Sequence, residues 1–133
     1  MSRLPAWLRA LVLYAGLTIV FTWPLAARLH SMDAGDSAFF AWVMSWERHA
    51  VLNHPTSLPH APIFHPLRYA LGMDEPVLGT TVLLVPLWPF TADAVWLYGV
   101  ARLLTFVLSA FTAYLLAKEL GCSEPASLLA GAA

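Results

Sequence analysis

The sequence predicts an all-α integral membrane protein, the N-terminal part of a polytopic helical bundle with a large extracytoplasmic first loop that contains interfacial helices. Of the 133 residues, 59% are hydrophobic and only 11% are charged, against about 25% charged in an ordinary soluble domain. The apolar residues are concentrated in runs long enough for membrane helices, and the 13% aromatic share suits a bilayer boundary. So few ionised groups cannot cover the surface of a soluble fold of this size.

The same composition excludes several functional classes. The net charge is −1, so the chain lacks the basic surface of a nucleic-acid-binding protein, and the lipid bilayer is the expected partner. The one cysteine, Cys122, excludes an internal disulfide framework. The sequence contains no Walker loop, GxGxxG, GxSxG or CxxC motif, so nothing in it supports phosphate-loop NTPase or dinucleotide chemistry.

A first span is predicted over residues 8–25, because about 20 residues of helix cross about 30 Å of hydrocarbon. Pro24 is expected to stop or kink this helix. A cleavable signal peptide is the alternative. The apolar run is long for a signal sequence, and residues 25–27 (Leu-Ala-Ala) form a poor cleavage site.

A second span is predicted over residues 94–117, with Thr91 or Asp93 as its N-terminal cap. A third apolar stretch, residues 126–133, is too short to cross a bilayer. We therefore expect this chain to be the N-terminal piece of a longer polytopic protein, with the remainder of its own chain as a partner.

Positive charges predict the orientation of the spans. Arg3, Arg9 and Lys118 flank the ends assigned to the cytoplasm, because cytoplasmic ends of membrane helices carry the excess of basic residues. The expected location is a multi-pass position in the cell inner (plasma) membrane, with a cytoplasmic N-terminus and residues 26–93 outside.

The loop at residues 26–93 divides into three pieces. Residues 37–52 have apolar side chains at helical spacing, which predicts a helix lying in the membrane interface. Residues 53–66 hold four prolines, which exclude a regular helix. Residues 77–90 are mostly apolar but too few to span, so they predict a re-entrant or interfacial helix.

Two carboxylates open this loop. Asp33 and Asp36 lie three residues apart, with Gly35 between them permitting a tight turn, so both can converge on one point. They could hold a hard divalent cation such as Mg²⁺ or Mn²⁺, or one could act as general base on a hydroxyl. The alternative is that Asp36 caps the helix at residues 37–52.

Two further charged positions have open interpretations. Arg102 lies inside the second span, where it could bind a phosphate, snorkel to the interface or pair with Asp93. Glu47, in the loop helix, is expected to pair with Arg48 or with solvent.

The histidines do not have the spacing of a metal site. Two pairs are each five residues apart, which does not place two ligands on one helical face, and no H-E-x-x-H motif is present. We expect interfacial hydrogen bonding instead. The five histidines are His30, His49, His54, His60 and His65.

A series of short motifs follows the first predicted span and continues through the second. They are Gly35-Asp36, Phe40-Ala41-Trp42, Trp46, Ile63-Phe64-His65-Pro66, Leu78-Gly79, Leu83 to Pro89, Leu108-Ser109-Ala110, Tyr114-Leu115-Leu116 and Ala130-Gly131-Ala132. In this order they resemble the N-terminal region of bacterial GT-C membrane glycosyltransferases, and the likeness covers nearly the whole chain. This superfamily includes protein O-mannosyltransferases, oligosaccharyltransferases and lipid A aminoarabinose transferases.

The resemblance implies a glycosyltransferase that moves a sugar from a polyprenyl-phosphate donor to an acceptor on the extracytoplasmic face. It implies an acidic residue of the first outer loop as base or metal ligand. By position this is Asp36, with Asp33 as the second candidate for both roles. Arg102 and His65 become candidates for substrate binding. The full-length protein is then an enzyme, and this piece alone is expected to be inactive.

Two other functions fit the same sequence. A transporter or flippase subunit also needs a polytopic body, and Arg102 would line its path. A small non-catalytic polytopic membrane protein is the third possibility.

Overall fold

The computed structural model describes residues 4–32, 35–73 and 77–133, and every regular element in those ranges is helical. The chain forms two compact units. The first holds the residues up to Arg28 together with Arg102–Ala133, and the second is Leu29–Ala101. The α-helices are α1 (Ala6–Phe21), α2 (Ser37–Asn53), α3 (Leu78–Leu83), α4 (Ala94–Glu119) and α5 (Glu124–Ala132).

Helix α1 is shorter than the span predicted over residues 8–25. It has 16 residues, or about 24 Å at ~1.5 Å per residue, and ends at Phe21. Pro24 accounts for the early end, because it lacks an N–H and its ring would clash with the carbonyl of Val20 in a continued helix. A 3-10 turn at Leu25–Ala27 follows. Helix α1 is therefore shorter than the ~20 residues of helix that cross the hydrocarbon of a bilayer.

Helix α4 has 26 residues and is the one helix in the described ranges that is long and apolar enough to cross a membrane. It contains the whole of the predicted second span. Asp93 caps the N-terminus of α4, because its Oδ1 accepts a hydrogen bond of 2.9 Å from the backbone N–H of Trp96. Of the two predicted caps, Asp93 is thus confirmed. The length and composition of α4 are compatible with a membrane location.

The core of the first unit joins α1 to α5 and to the later turns of α4. Tyr14 is buried and donates a hydrogen bond of 3.1 Å to the carbonyl of Leu128. Its ring meets that of Tyr114 edge-on, with the centroids 6.3 Å apart. Gly131 lies against this tyrosine, where a Cβ would collide with Tyr14 Oη and with the carbonyl of Ala110.

The second unit is built on α2, which covers the helix expected over residues 37–52 and one residue more. The buried side chains of Val43, Ala61 and Leu71 form its core. The proline-rich segment forms only a 3-10 turn at Pro55–Ser57, as its prolines require. Trp46 ties that segment to α2, since its Nε1 donates a hydrogen bond of 3.0 Å to a carbonyl that follows the turn.

The prediction of a single helix within residues 77–90 is wrong. Helix α3 ends at Leu83, and a separate 3-10 turn, Val85–Leu87, follows it. Pro86 explains the break, because it cannot donate the backbone hydrogen bond that would continue α3. The short α3 packs against α2, and this contact positions the charged groups of the second unit.

Candidate functional site

The structure places Asp36 at the N-cap position of α2 but gives its side chain no capping hydrogen bond. Its backbone angles, φ −81° and ψ 3°, are not the extended ones from which a capping side chain reaches back into the helix. Gly35 has a φ of +106°, the left-handed conformation that glycine adopts readily. The capping interpretation is therefore wrong for this side chain, and the Asp36 carboxylate is exposed.

The other predicted site residues are not gathered around Asp36. Asp33 lies outside the described residues. His65 is exposed and belongs to the second unit, as Asp36 does. Arg102 is half-buried on α4 and belongs to the first unit.

Within residues 4–32, 35–73 and 77–133, no three His, Cys, Asp or Glu side chains are grouped to hold a metal ion. Of the predicted pair of carboxylates, Asp36 is among these residues and Asp33 is not. A cation held by this pair therefore stays a prediction from the sequence.

A buried acid, Glu47, is the main feature that the sequence interpretation missed. Its exposed fraction is 0%, and Thr81 of α3 donates a hydrogen bond to its Oε2. Oε1 has no hydrogen-bond partner among the described residues. Burial raises the pKa of Glu47, while the hydrogen bond from Thr81 and the backbone of Val77 oppose the rise. A carboxyl group in this setting favours its neutral form.

The prediction that Glu47 pairs with Arg48 or with solvent is also wrong. Arg48 instead donates a hydrogen bond of 3.3 Å from Nη2 to the carbonyl of Trp88. The sequence did contain a signal for this burial. Glu47 lies four residues after Val43 and three before Ala50, both fully buried, so it shares the apolar face of α2.

A cavity of about 190 Å³ lies beside Glu47. The surface of this cavity is wholly apolar, so Glu47 lines it without exposing its carboxyl group there. The residues that line it are Glu47, Leu58, Pro59, Leu71, Gly72 and Leu78.

A histidine and an aspartate form a pair in another cleft of the second unit. His30 Nε2 is 3.1 Å from Asp93 Oδ2, and the other oxygen of Asp93 accepts the Trp96 N–H. That backbone hydrogen bond is the largest cause of a lowered pKa at Asp93, and His30 adds to it, so the carboxylate is ionised at neutral pH. The cleft has a volume of about 370 Å³ and is lined by His30, Leu87, Phe90, Thr91, Asp93 and Trp96.

Comparison of the chain with protein family models, with curated proteins and with solved structures finds no match. The function therefore has to be inferred from the residues themselves.

Proposed function

We propose that the full-length protein is a GT-C-type membrane glycosyltransferase, in which this chain supplies the carboxylate of the first extracytoplasmic loop. The enzyme would be a multi-pass protein of the plasma membrane with its N-terminus in the cytoplasm. One observation carries the proposal: Asp36 follows a glycine turn, is exposed, and is not used to cap α2. An aspartate at a helix start ordinarily bonds to the backbone. This one keeps its oxygen atoms available for a substrate.

In the proposed reaction, Asp36 orients the hydroxyl group of the acceptor and takes its proton as the oxygen attacks the anomeric carbon of the sugar. The bond between that carbon and the lipid phosphate breaks, and the phosphate leaves with the electron pair. Arg102 would stabilise this charge, since a guanidinium can bind phosphate with two hydrogen bonds. His65 would contact the substrate.

In the alternative form of the proposal, Asp36 and Asp33 are ligands of a divalent cation, Mg²⁺ or Mn²⁺. Such ions are commonly held by one or two carboxylates together with phosphate oxygens. The proton transfer at Asp36 does not itself require the ion.

The test uses the full-length protein in proteoliposomes with a radiolabelled polyprenyl-phosphate sugar and an acceptor-containing membrane extract. Asp36→Asn should lower the rate of sugar transfer by about 10²-fold or more, the usual contribution of a general base. The variant should fold normally, since the side chain makes no capping hydrogen bond. Glu119→Gln is the matched control, because it removes one exposed carboxylate elsewhere in the chain. Full activity of Asp36→Asn would remove the assignment.

A transporter or flippase subunit is the second candidate, and the half-buried position of Arg102 within α4 favours it. The same proteoliposomes distinguish the two functions. Movement of the labelled lipid to the opposite leaflet without loss of its sugar indicates a transporter. Release of the free lipid phosphate, with label in the acceptor, indicates the transferase.

A further inference from the structure

The cleft between His30 and Trp96 combines flat apolar surfaces with fixed polar groups. Phe90 is 84% exposed, so its ring is accessible to a ligand. The aromatic ring of Trp96 and the imidazole of His30 line the same cleft. Its volume of about 370 Å³ lies in the range of ~300–1,000 Å³ typical of small-molecule sites.

The polar groups of the cleft are held in place. Asp93 is fixed by two contacts, the backbone N–H of Trp96 at 2.9 Å and the ring of His30 at 3.1 Å. Thr91 Oγ1 accepts the backbone N–H of Asp93 at 3.1 Å. The hydroxyl hydrogen of Thr91 therefore remains a donor, and the Asp93 carboxylate retains lone pairs for further donors.

These properties restrict the ligand. A phosphate or carboxylate would be repelled by the ionised Asp93. A wholly apolar molecule would strip water from that carboxylate without replacing its hydrogen bonds. A neutral ring that has one C–H face and hydroxyl groups at its edge satisfies both surfaces, because its face packs on an aromatic ring and its hydroxyls bond to Asp93 and Thr91.

We infer that this cleft is a carbohydrate-binding site, in which Phe90 and Trp96 pack against a sugar ring while His30 and Asp93 bind its hydroxyl groups. The inference rests on this cleft alone. It does not depend on Asp36 or on the transfer reaction, so a protein without transferase activity would still bind sugar here.

The test is saturation-transfer NMR of methyl glucoside, methyl mannoside and methyl galactoside with the full chain in a polyoxyethylene detergent. Glycoside detergents are avoided because their sugar head groups would compete. At least one glycoside should bind saturably, with a dissociation constant in the millimolar range expected for a single sugar ring (~−4 kcal/mol at 1 mM).

Phe90→Ala should weaken binding about tenfold, the consequence of losing one aromatic contact. Phe21→Ala is the matched control, because Phe21 is 82% exposed and lines no part of this cleft. Asp93→Asn should also weaken binding while α4 keeps an N-cap side chain. Equal thermal unfolding midpoints establish that the variants are folded.

The inference is overturned if no glycoside binds, or if Phe21→Ala weakens binding as much as Phe90→Ala. Tetramethylammonium and inorganic phosphate are the comparison probes. Stronger binding of tetramethylammonium, abolished by Asp93→Asn, would identify an organic-cation site instead.

Discussion

The hydroxyl group of Thr81 donates a hydrogen bond to Oε2 of Glu47, which lies 34 residues earlier in the chain. This bond crosses from α3 to α2 inside the second unit, where both side chains are buried. An acid on the apolar face of a helix is unfavourable unless it is hydrogen-bonded or neutral. The hydrogen bond between these two residues therefore helps to hold α3 against α2.

Thr81→Val should destabilise the second unit by about 1–3 kcal/mol, the cost of leaving a buried polar group without its partner. Valine has the same shape as threonine but no hydroxyl group. Amide hydrogen exchange of α3 is the measurement, since loosening should raise its rates first. In Thr81→Ser, which keeps the hydroxyl group, the amides of α3 should exchange much more slowly than in Thr81→Val. Equal exchange in the two variants would show that packing, and not the hydrogen bond, holds α3.

The stability of the second unit should fall as the pH rises above the ordinary Glu47 pKa of 4.5. The folded state binds the proton more tightly because its pKa is raised, so the stabilisation is complete below 4.5 and is lost as the pH passes the raised value. Urea unfolding between pH 4 and 8 measures the effect. Glu47→Gln should remove that part of the slope.

Subtracting the Glu47→Gln curve from the wild-type curve cancels the contributions that the two proteins share. Asp93 does not interfere, because its pKa is lowered from 3.8 and the stability it contributes is lost only at more acidic pH. A difference curve that is flat from pH 4 to 8 would contradict a raised pKa at Glu47.

Gly131→Ala should destabilise the first unit by about 1–3 kcal/mol, as is usual when an added methyl overfills a packed contact. The new Cβ would meet Tyr14 Oη and the backbone carbonyl of Ala110, and the carbonyl cannot move aside cheaply. Gly16→Ala is the control, because its Cβ meets nothing within 4 Å and alanine favours the helix by about 0.5–1 kcal/mol. Thermal unfolding in detergent should rank the proteins Gly16→Ala, wild type, Gly131→Ala, from most to least stable. Any other order would refute the close approach of α5.

Arg102→Ala should weaken donor binding by the full-length protein about tenfold or more, the loss expected for a hydrogen-bonded charge. Arg102→Lys should recover only part of this affinity, since lysine cannot bind a phosphate with two hydrogen bonds. The measurement is the KM for the polyprenyl-phosphate sugar. Arg9→Ala removes an exposed guanidinium from α1 and serves as the control. An unchanged KM for Arg102→Ala would end its assignment to the phosphate.

Helices with strong local signals were predictable from the sequence. The extent of α2 follows from apolar side chains at helical spacing, and the start of α4 follows from a capping aspartate, Asp93. The early end of α1 and the short length of α3 show that counting apolar residues does not locate the ends of helices. Pro24 and Pro86 decide those ends through the backbone. Pro24 was expected to stop or kink the first helix, but the predicted bounds still ran past it.

The site residues were harder to predict, because they depend on contacts between distant parts of the chain. The burial of Glu47 requires α3 to cover one face of α2. The pairing of His30 with Asp93 joins positions that share no sequence motif. The failure of Asp36 to cap α2 depends on backbone angles that composition and spacing do not contain.

Under the proposed multi-pass arrangement, the 16-residue length of α1 would have a consequence for the surrounding lipid. A bilayer about 30 Å thick in its hydrocarbon region exceeds this helix by about 6 Å, whereas α4, with 26 residues, exceeds the bilayer by about 9 Å. Hydrophobic mismatch of opposite sign is relieved by thinning of the lipid around a shorter helix and by tilting of a longer one. In that arrangement a thinner bilayer would accommodate α1 at lower cost.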